Sequence, residues 1–450
     1  MSASVHTIRA RQEDIADFRR SMACLKQLMQ QWEALNQQNT QADAEKAAKI
    51  RRRYQEMVAF GRNLYPHSAA NFAAMTDQVP GMIEFIREDM RQTQEMMIDA
   101  EAGALMQQRR GRENAAVLLA ELQRRMPEHT ELIQRLSALA QGENGDTQVL
   151  NQALRLLQPQ GDILTERQRA LAESLKPQAY QAETWQAQDA AQADARLRRI
   201  ERHIAELVIL DPERDIRDIR RRSAELSQLA QDHRWDTLSD SLILELAQAT
   251  REARARVDGR QELGVLIAGL ESFDADELAP LIETLQQALQ ARDPGTLAGA
   301  IARANEATQK QQAKIAALAR REAVLEGLAK LGYEVREEMA GVWLKEGRVV
   351  IGKPATPGYG LELGGGAESP RFQARTVAFS AERDTRRDED IDALWCGEHQ
   401  QLQALLAESG NDLSIDRALP PGGAALRVVE KAGEQAIQRQ AAVRREREFK

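Results

Sequence analysis

Apolar residues recur at helical spacing along most of the chain. Leu197, Ile200, Ile204 and Leu207 step three, four and three, which places all four on one stripe of a helix and predicts a packed seam. After the break at Asp211–Pro212, Ile216, Ile219, Leu226 and Leu229 continue with steps of three, seven and three. Two further stripes, Leu278, Ile282, Leu285 and Leu289 against Ile315, Leu318, Leu325 and Leu328, predict an antiparallel helical hairpin. Its second helix should run from about Thr296 to Leu331, roughly 50 Å at 1.5 Å per residue. Met82, Ile86, Met90 and Met97 form another stripe; bundle core is its commoner meaning, although methionine also suits adaptable partner grooves.

Helix punctuation supports this reading. Asp211–Pro212 and Asp293–Pro294 each set an N-cap residue before a proline suited to the first helical position. Glycine marks the main boundary. Three glycines fall in the first 110 residues, whereas nine of the 27 lie between Gly332 and Gly366. Glycine is costly inside helices and favoured in turns, so the fold should change character near residue 332. Beyond it, the segments 333–339, 341–347, 348–354, 359–365 and 371–379 are short, β-branched or aromatic, and read as a meander of about five strands. An amphipathic helix should follow, with Ile391, Leu394, Leu402 and Leu405 on its apolar side, then a last strand at "AALRVV".

The expected fold class is therefore mainly α: an elongated helical bundle with coiled-coil hairpins, followed by a small α+β domain with an antiparallel sheet of about five strands. The expected divisions are an N-terminal helical bundle over 1–140, a helical and coiled-coil region over 148–331, the α+β domain over 332–430 and a polar helical tail over 431–450. Composition agrees with narrow seams rather than one wide core, since aromatics make up only 4% of the 450 residues and charged residues 29%.

Charge and cysteine usage narrow the function classes. A net charge of −8 argues against a wholesale binder of nucleic acid or anionic membranes. The two cysteines, Cys24 and Cys396, suggest neither a disulfide framework nor a zinc site. No apolar run approaches the roughly 18–20 residues that span a bilayer, and no secretory signal is evident, so the cytoplasm is the expected compartment.

Candidate chemistry is sparse. Gly347, Gly352 and Lys353 match the spacing of a phosphate-binding loop, but Pro354 stands where a hydroxyl belongs. Arg348, Val349, Val350 and Ile351 between them read as strand, and the prolines that follow block the helix such a loop requires. "LVILDPE" resembles the metal-binding strand of an ATPase only superficially, because Leu207 completes a helical stripe. A nuclease site near Lys353 lacks its acid, with Ile351 in that position. Cys396 and His399 are three apart without further ligands, so Trp395 and Cys396 are expected to pack and His399 to be solvated. Basic clusters occur at Arg51, Arg52 and Arg53, around Arg109–Arg112, and at Arg220, Arg221 and Arg222. Interleaved acids favour a solvated helix face, with phosphate contact as the alternative.

The expectation is a non-catalytic cytoplasmic scaffold or adaptor, with no cofactor and no metal. It would assemble with a protein partner or with itself through its helices, and dock through Lys353, Pro357 and Tyr359. A nucleic-acid-associated subunit using Arg51–Arg53 and Arg220–Arg222 is the second reading, and a divergent nucleotide-binding enzyme using Lys353 the third.

Overall fold

The computed structural model describes residues 4–9, 11–39, 43–62, 69–142, 148–157, 176–229, 232–366 and 369–429. The polar tail expected over 431–450 lies outside them. The chain opens with β1 (Ser4–Arg9), then α1 (Arg11–Gln38), α2 (Ala44–Gly61), α3 (Ala69–Thr76) and α4 (Gln78–Arg125). Next come α5 (Thr130–Ala140), α6 (Gln148–Leu157), α7 (Lys176–Leu210), α8 (Arg217–Leu226) and α9 (His233–Glu271). A short 3-10 turn leads into α10 (Ala279–Ala288), and α11 (Pro294–Lys330) and α12 (Met339–Glu346) follow. The remainder alternates: β2 (Arg348–Gly352), β3 (Tyr359–Gly364), β4 (Arg371–Ala378), α13 (Arg387–Glu408), β5 (Asp412–Arg417) and β6 (Arg427–Val428). The protein is mainly helical, with a small sheet to which the C-terminal side contributes four strands longer than two residues.

Cap chemistry sets the helix ends. Asp293 accepts from the Thr296 amide at 2.8 Å and Pro294 opens α11, as the sequence leads one to expect. At the other end, Gly332 adopts φ +90°, its amide bonds to the Ala329 carbonyl and the Tyr333 amide to the Leu328 carbonyl. This is a Schellman closure, which requires a residue tolerant of the left-handed region. Asp211 behaves differently. Its amide extends the last turn of α7 by bonding to Leu207, and its carboxylate takes Arg256 Nη1 at 2.8 Å, so it caps no following helix.

The helices bury several separate seams. Phe18, Leu25, Leu28 and Trp32 of α1 pack with Met82, Ile86 and Met90 of α4, which makes the methionine stripe core, while Met97 is only half-buried. Leu197, Ile200, Ile204 and Leu207 of α7 are all buried against Trp235, Leu242 and Leu246 of α9. Farther along, Leu263, Ile267 and Leu270 of α9 meet Leu285 of α10 and Leu297, Ala300 and Ala304 of α11. The expected hairpin therefore closes on the first half of α11. Leu325 and Leu328, and with them Leu318, face the sheet instead. The reason is length: α10 has 10 residues, about 15 Å, and cannot reach along the 37-residue, roughly 55 Å α11.

The sheet has the order β2-β3-β4-β1-β5, with antiparallel neighbours throughout and β6 pairing in parallel with β4. Val349, Ile351, Leu361, Leu363, Phe372 and Ala374 give it one buried face. Onto that face pack Leu325 and Leu328 of α11, Trp343 of α12, and Trp395, Leu402 and Leu406 of α13. Two expected strands are absent: residues 333–338 form loop and turns, and "GVWLKEG" belongs to α12. The helix lets Trp343 meet Phe372 edge-on at 5.6 Å, with the Arg321 guanidinium 5.3 Å from its ring centroid. Gly347, at φ +72°, ends α12 by bonding to the Trp343 carbonyl, and is no hairpin turn. The missing places are taken by β5 and by β1 from the far end of the chain. On α13 the buried side is Ile391, Trp395, His399, Leu402 and Leu406; Leu394 is 54% exposed. His399, expected in solvent, is 1% exposed.

Candidate binding groove

Lys353 is held inside the C-terminal fold. Its Nζ pairs with the Glu398 carboxylate and lies 5.1 Å from the centroid of the Tyr333 ring, while Tyr333 donates its hydroxyl to Glu398 Oε2 at 2.6 Å. Burial, then the hydrogen bond and charge of Glu398, push the Tyr333 hydroxyl above its ordinary range. Tyr359 is buried and donates to Asp388 Oδ1 at 3.1 Å. Of the three residues expected to dock a partner, Pro357 is the exposed one. Gly347 caps a helix and Gly352 ends β2, so the backbone around Lys353 is strand and turn rather than a phosphate loop. Cys396 is half-buried and forms no disulfide among the described residues, and burial pushes the His399 imidazole below its ordinary value. Among the described residues, no group of three His, Cys, Asp or Glu side chains is placed to hold a metal.

The basic clusters are largely neutralised within the fold. Arg51 bonds Glu33 at 3.3 Å and lies 5.6 Å from the Trp32 ring centroid. Arg52 and Arg53 both reach Glu56, at 3.5 and 3.0 Å. Arg221 pairs with Asp218 and Glu225, and Arg222 grips both oxygens of Glu245 at 2.8 Å. Such exposed pairs are each worth only about 0–1 kcal/mol, but a phosphate would have to displace them. Arg220 differs: its side chain is exposed and carries no ion pair among the described residues.

Arg220 borders a groove of about 950 Å³. One wall is α4 from Glu101 to Val117, where Ala104, Leu105, Gln108, Arg109, Arg112 and Ala116 recur at helical spacing. This wall is about 24 Å long at 1.5 Å per residue. The facing wall is α8 and the turn after it, through Arg220, Ser223, Ala224 and Ser227. Glu201 and Ile204 of α7 form the floor, and Ala140 and Gln141 close one end.

Arg109 anchors the floor. Its Nε donates to Glu201 Oε1 at 2.7 Å, Nη2 to Asp194 Oδ1 at 2.7 Å and Nη1 to Glu113 Oε1 at 2.9 Å. Burial works against the guanidinium charge, but these three bonds outweigh it and hold Arg109 firmly protonated. Burial pushes the Glu201 carboxyl above its ordinary value despite Arg109; the less buried Asp194 is held below its own by Arg109. Farther along α4, this helix, α7 and α9 meet through polar groups: Glu95 and Asp99 with Arg202, Glu95 and Glu206 with Arg254, and Thr250 with His203.

The sequence shows Arg109–Arg112 only as one basic cluster among three. Apart from Leu105 and Val117, the α4 wall of the groove consists of small and polar residues, which form no apolar stripe. Val117, 65% exposed, lines the groove along with Leu105 and Ile204. No protein-family model, curated protein or solved structure matches the chain.

Proposed function

We propose that the protein is a non-catalytic helical scaffold or adaptor that assembles with a protein partner. On this reading it works in the cytoplasm, its coiled-coil-like seams hold the long helices in place, and the C-terminal sheet forms a second presenting surface. The observation that carries the reading is the groove: α4 and α8 face each other across about 950 Å³ with no helix of the described residues between them. Pockets between helices of a bundle are a preferred place for binding. Nucleic-acid contact through Arg51–Arg53 and Arg220–Arg222 draws less support, since five of these six guanidinium groups are already ion-paired. Nucleotide binding through Lys353 draws little, because the amine is committed to Glu398.

The test is purification of the tagged full chain from its source cells, followed by size-exclusion chromatography with light scattering. A partner co-eluting at fixed stoichiometry is the expected result. A monomer with no stoichiometric partner at any salt concentration overturns the reading, and a homo-oligomer without a partner replaces it with self-assembly.

A further inference from the structure

We propose that the groove between α4 and α8 seats a helix of the partner, about 16 residues long, with a stripe of small apolar side chains and an aspartate or glutamate facing Arg112 and Arg220. The inference rests on the adaptor reading and adds to it the place and the chemistry of the contact. Shape argues for a helix: the two walls present residues at spacings of three and four, and the long wall runs about 24 Å, the rise of some 16 helical residues. Both walls carry small side chains, Ala104 and Ala116 on one and Ser223 and Ala224 on the other, where a helix axis can approach to about 8–10 Å. Val117, 65% exposed on the rim, is the apolar contact left open.

Charge argues for an acid on the incoming helix. Among the described residues Arg220 is exposed and carries no ion pair, and the Arg112 Nε is buried without a hydrogen-bond partner, although Arg112 lines the same groove. Arg112 lies against Gly142, its guanidinium carbon 3.0 Å from where a Cβ would stand, and neither arginine has a carboxylate partner among the described residues. A carboxylate delivered to either guanidinium would make charge-assisted hydrogen bonds. Glu201, 6% exposed and also lining the groove, has one oxygen, Oε2, without a hydrogen-bond partner, which offers an acceptor to a donor on the same helix.

The experiment places a photo-crosslinking residue at Val117 in the full chain, expressed in its source cells, with the same residue at Leu244, exposed on α9 outside the groove, as the comparison. The Val117 product should map to an amphipathic, acid-bearing segment of another protein, and Leu244 should not give it. A synthetic peptide of that segment should bind the purified chain. Its binding should weaken at least tenfold in the Arg112→Glu, Arg220→Glu variant and recover when the peptide's acid becomes lysine. Should Arg112→Glu unfold the chain by circular dichroism, Arg220→Glu alone carries the test at an exposed, unpaired position. Crosslinks confined to residues 158–175 of the same chain, to a second copy, or equally strong from Leu244 overturn the proposal, as does peptide binding indifferent to the charge reversals. A partner that co-elutes equally with wild type and the double variant leaves the adaptor reading standing and overturns this one; loss of any partner from the wild type overturns the adaptor reading itself.

Discussion

Arg109 shows how single side chains join these helices. It lies on α4, yet two of its three carboxylates, Asp194 and Glu201, come from α7. Its side chain is 11% exposed and that of Glu201 8%, so removing the guanidinium would strand a buried carboxylate. Arg109→Ala should therefore destabilise the α4–α7 contact by about 3–5 kcal/mol, whereas the all-apolar pair Arg109→Met with Glu201→Leu should recover much of that loss. Urea unfolding of the three chains decides it: equal midpoints for Arg109→Ala and wild type would mean the network adds nothing. His399 gives a pH signature. Burial holds its folded pKa below the ordinary 6.5, so the unfolded chain takes up a proton that the folded chain refuses. Stability from this group is present above pH 6.5 and is lost as pH falls below it through the folded value. Thermal unfolding of His399→Gln should show a flatter slope than wild type between about pH 6.5 and 5; parallel slopes would show that His399 does not govern that range.

At the scale of elements, helices were legible where apolar stripes or caps carried them. The Leu197–Leu207 stripe and the Asp293 and Gly332 ends of α11 are all in place. The strand readings failed where tertiary packing overrode local preference. "GVWLKEG" has strand-like side chains, but as a helix it sets Trp343 between Phe372 and Arg321. The groove was illegible for a different reason: mostly small and polar wall residues give no periodic apolar signal, and that α4 and α8 line one groove is a long-range fact. Two glycines should carry clear costs at this scale. Gly332→Ala forces a side chain into φ +90° and should cost about 1–2 kcal/mol. Gly360→Ala would set a Cβ 2.6 Å from the Ile351 carbonyl on the neighbouring strand and 2.5 Å from the Phe379 ring, costing about 1–3 kcal/mol. Hydrogen exchange of β2 and β3 reads both. Gly360→Ala should deprotect the β2–β3 ladder selectively, and unchanged protection there would show that the sheet yields without cost.

At the scale of the whole molecule, the two ends of the chain are tied together in the sheet. β1 lies between β4 and β5, pairing His6 with Phe372 on one side and with Ile415 on the other. Immediately after it, the Arg11 amide donates to Asn411 Oδ1 at 2.7 Å, joining the start of α1 to the turn that ends α13. The sheet that follows Gly332 therefore includes a strand from the start of the chain. Among the described residues β5 hydrogen-bonds to no strand but β1, and Ile8, 3% exposed, fills the core beside Phe372 and Leu413. Deleting residues 1–9 from the full chain should release β5 and expose its amides to exchange, while the α4–α7–α9 junction keeps its protection. Ile8→Ala should act in the same direction with a cost of about 2–5 kcal/mol, the range for emptying a buried Ile site. Exchange measured by mass spectrometry on the three chains separates the outcomes. Protection of Asp412–Arg417 that survives the deletion would mean that the C-terminal elements fold without their N-terminal strand. Loss of protection confined to the sheet would establish β1 as the clasp that makes the sheet depend on both ends of the chain.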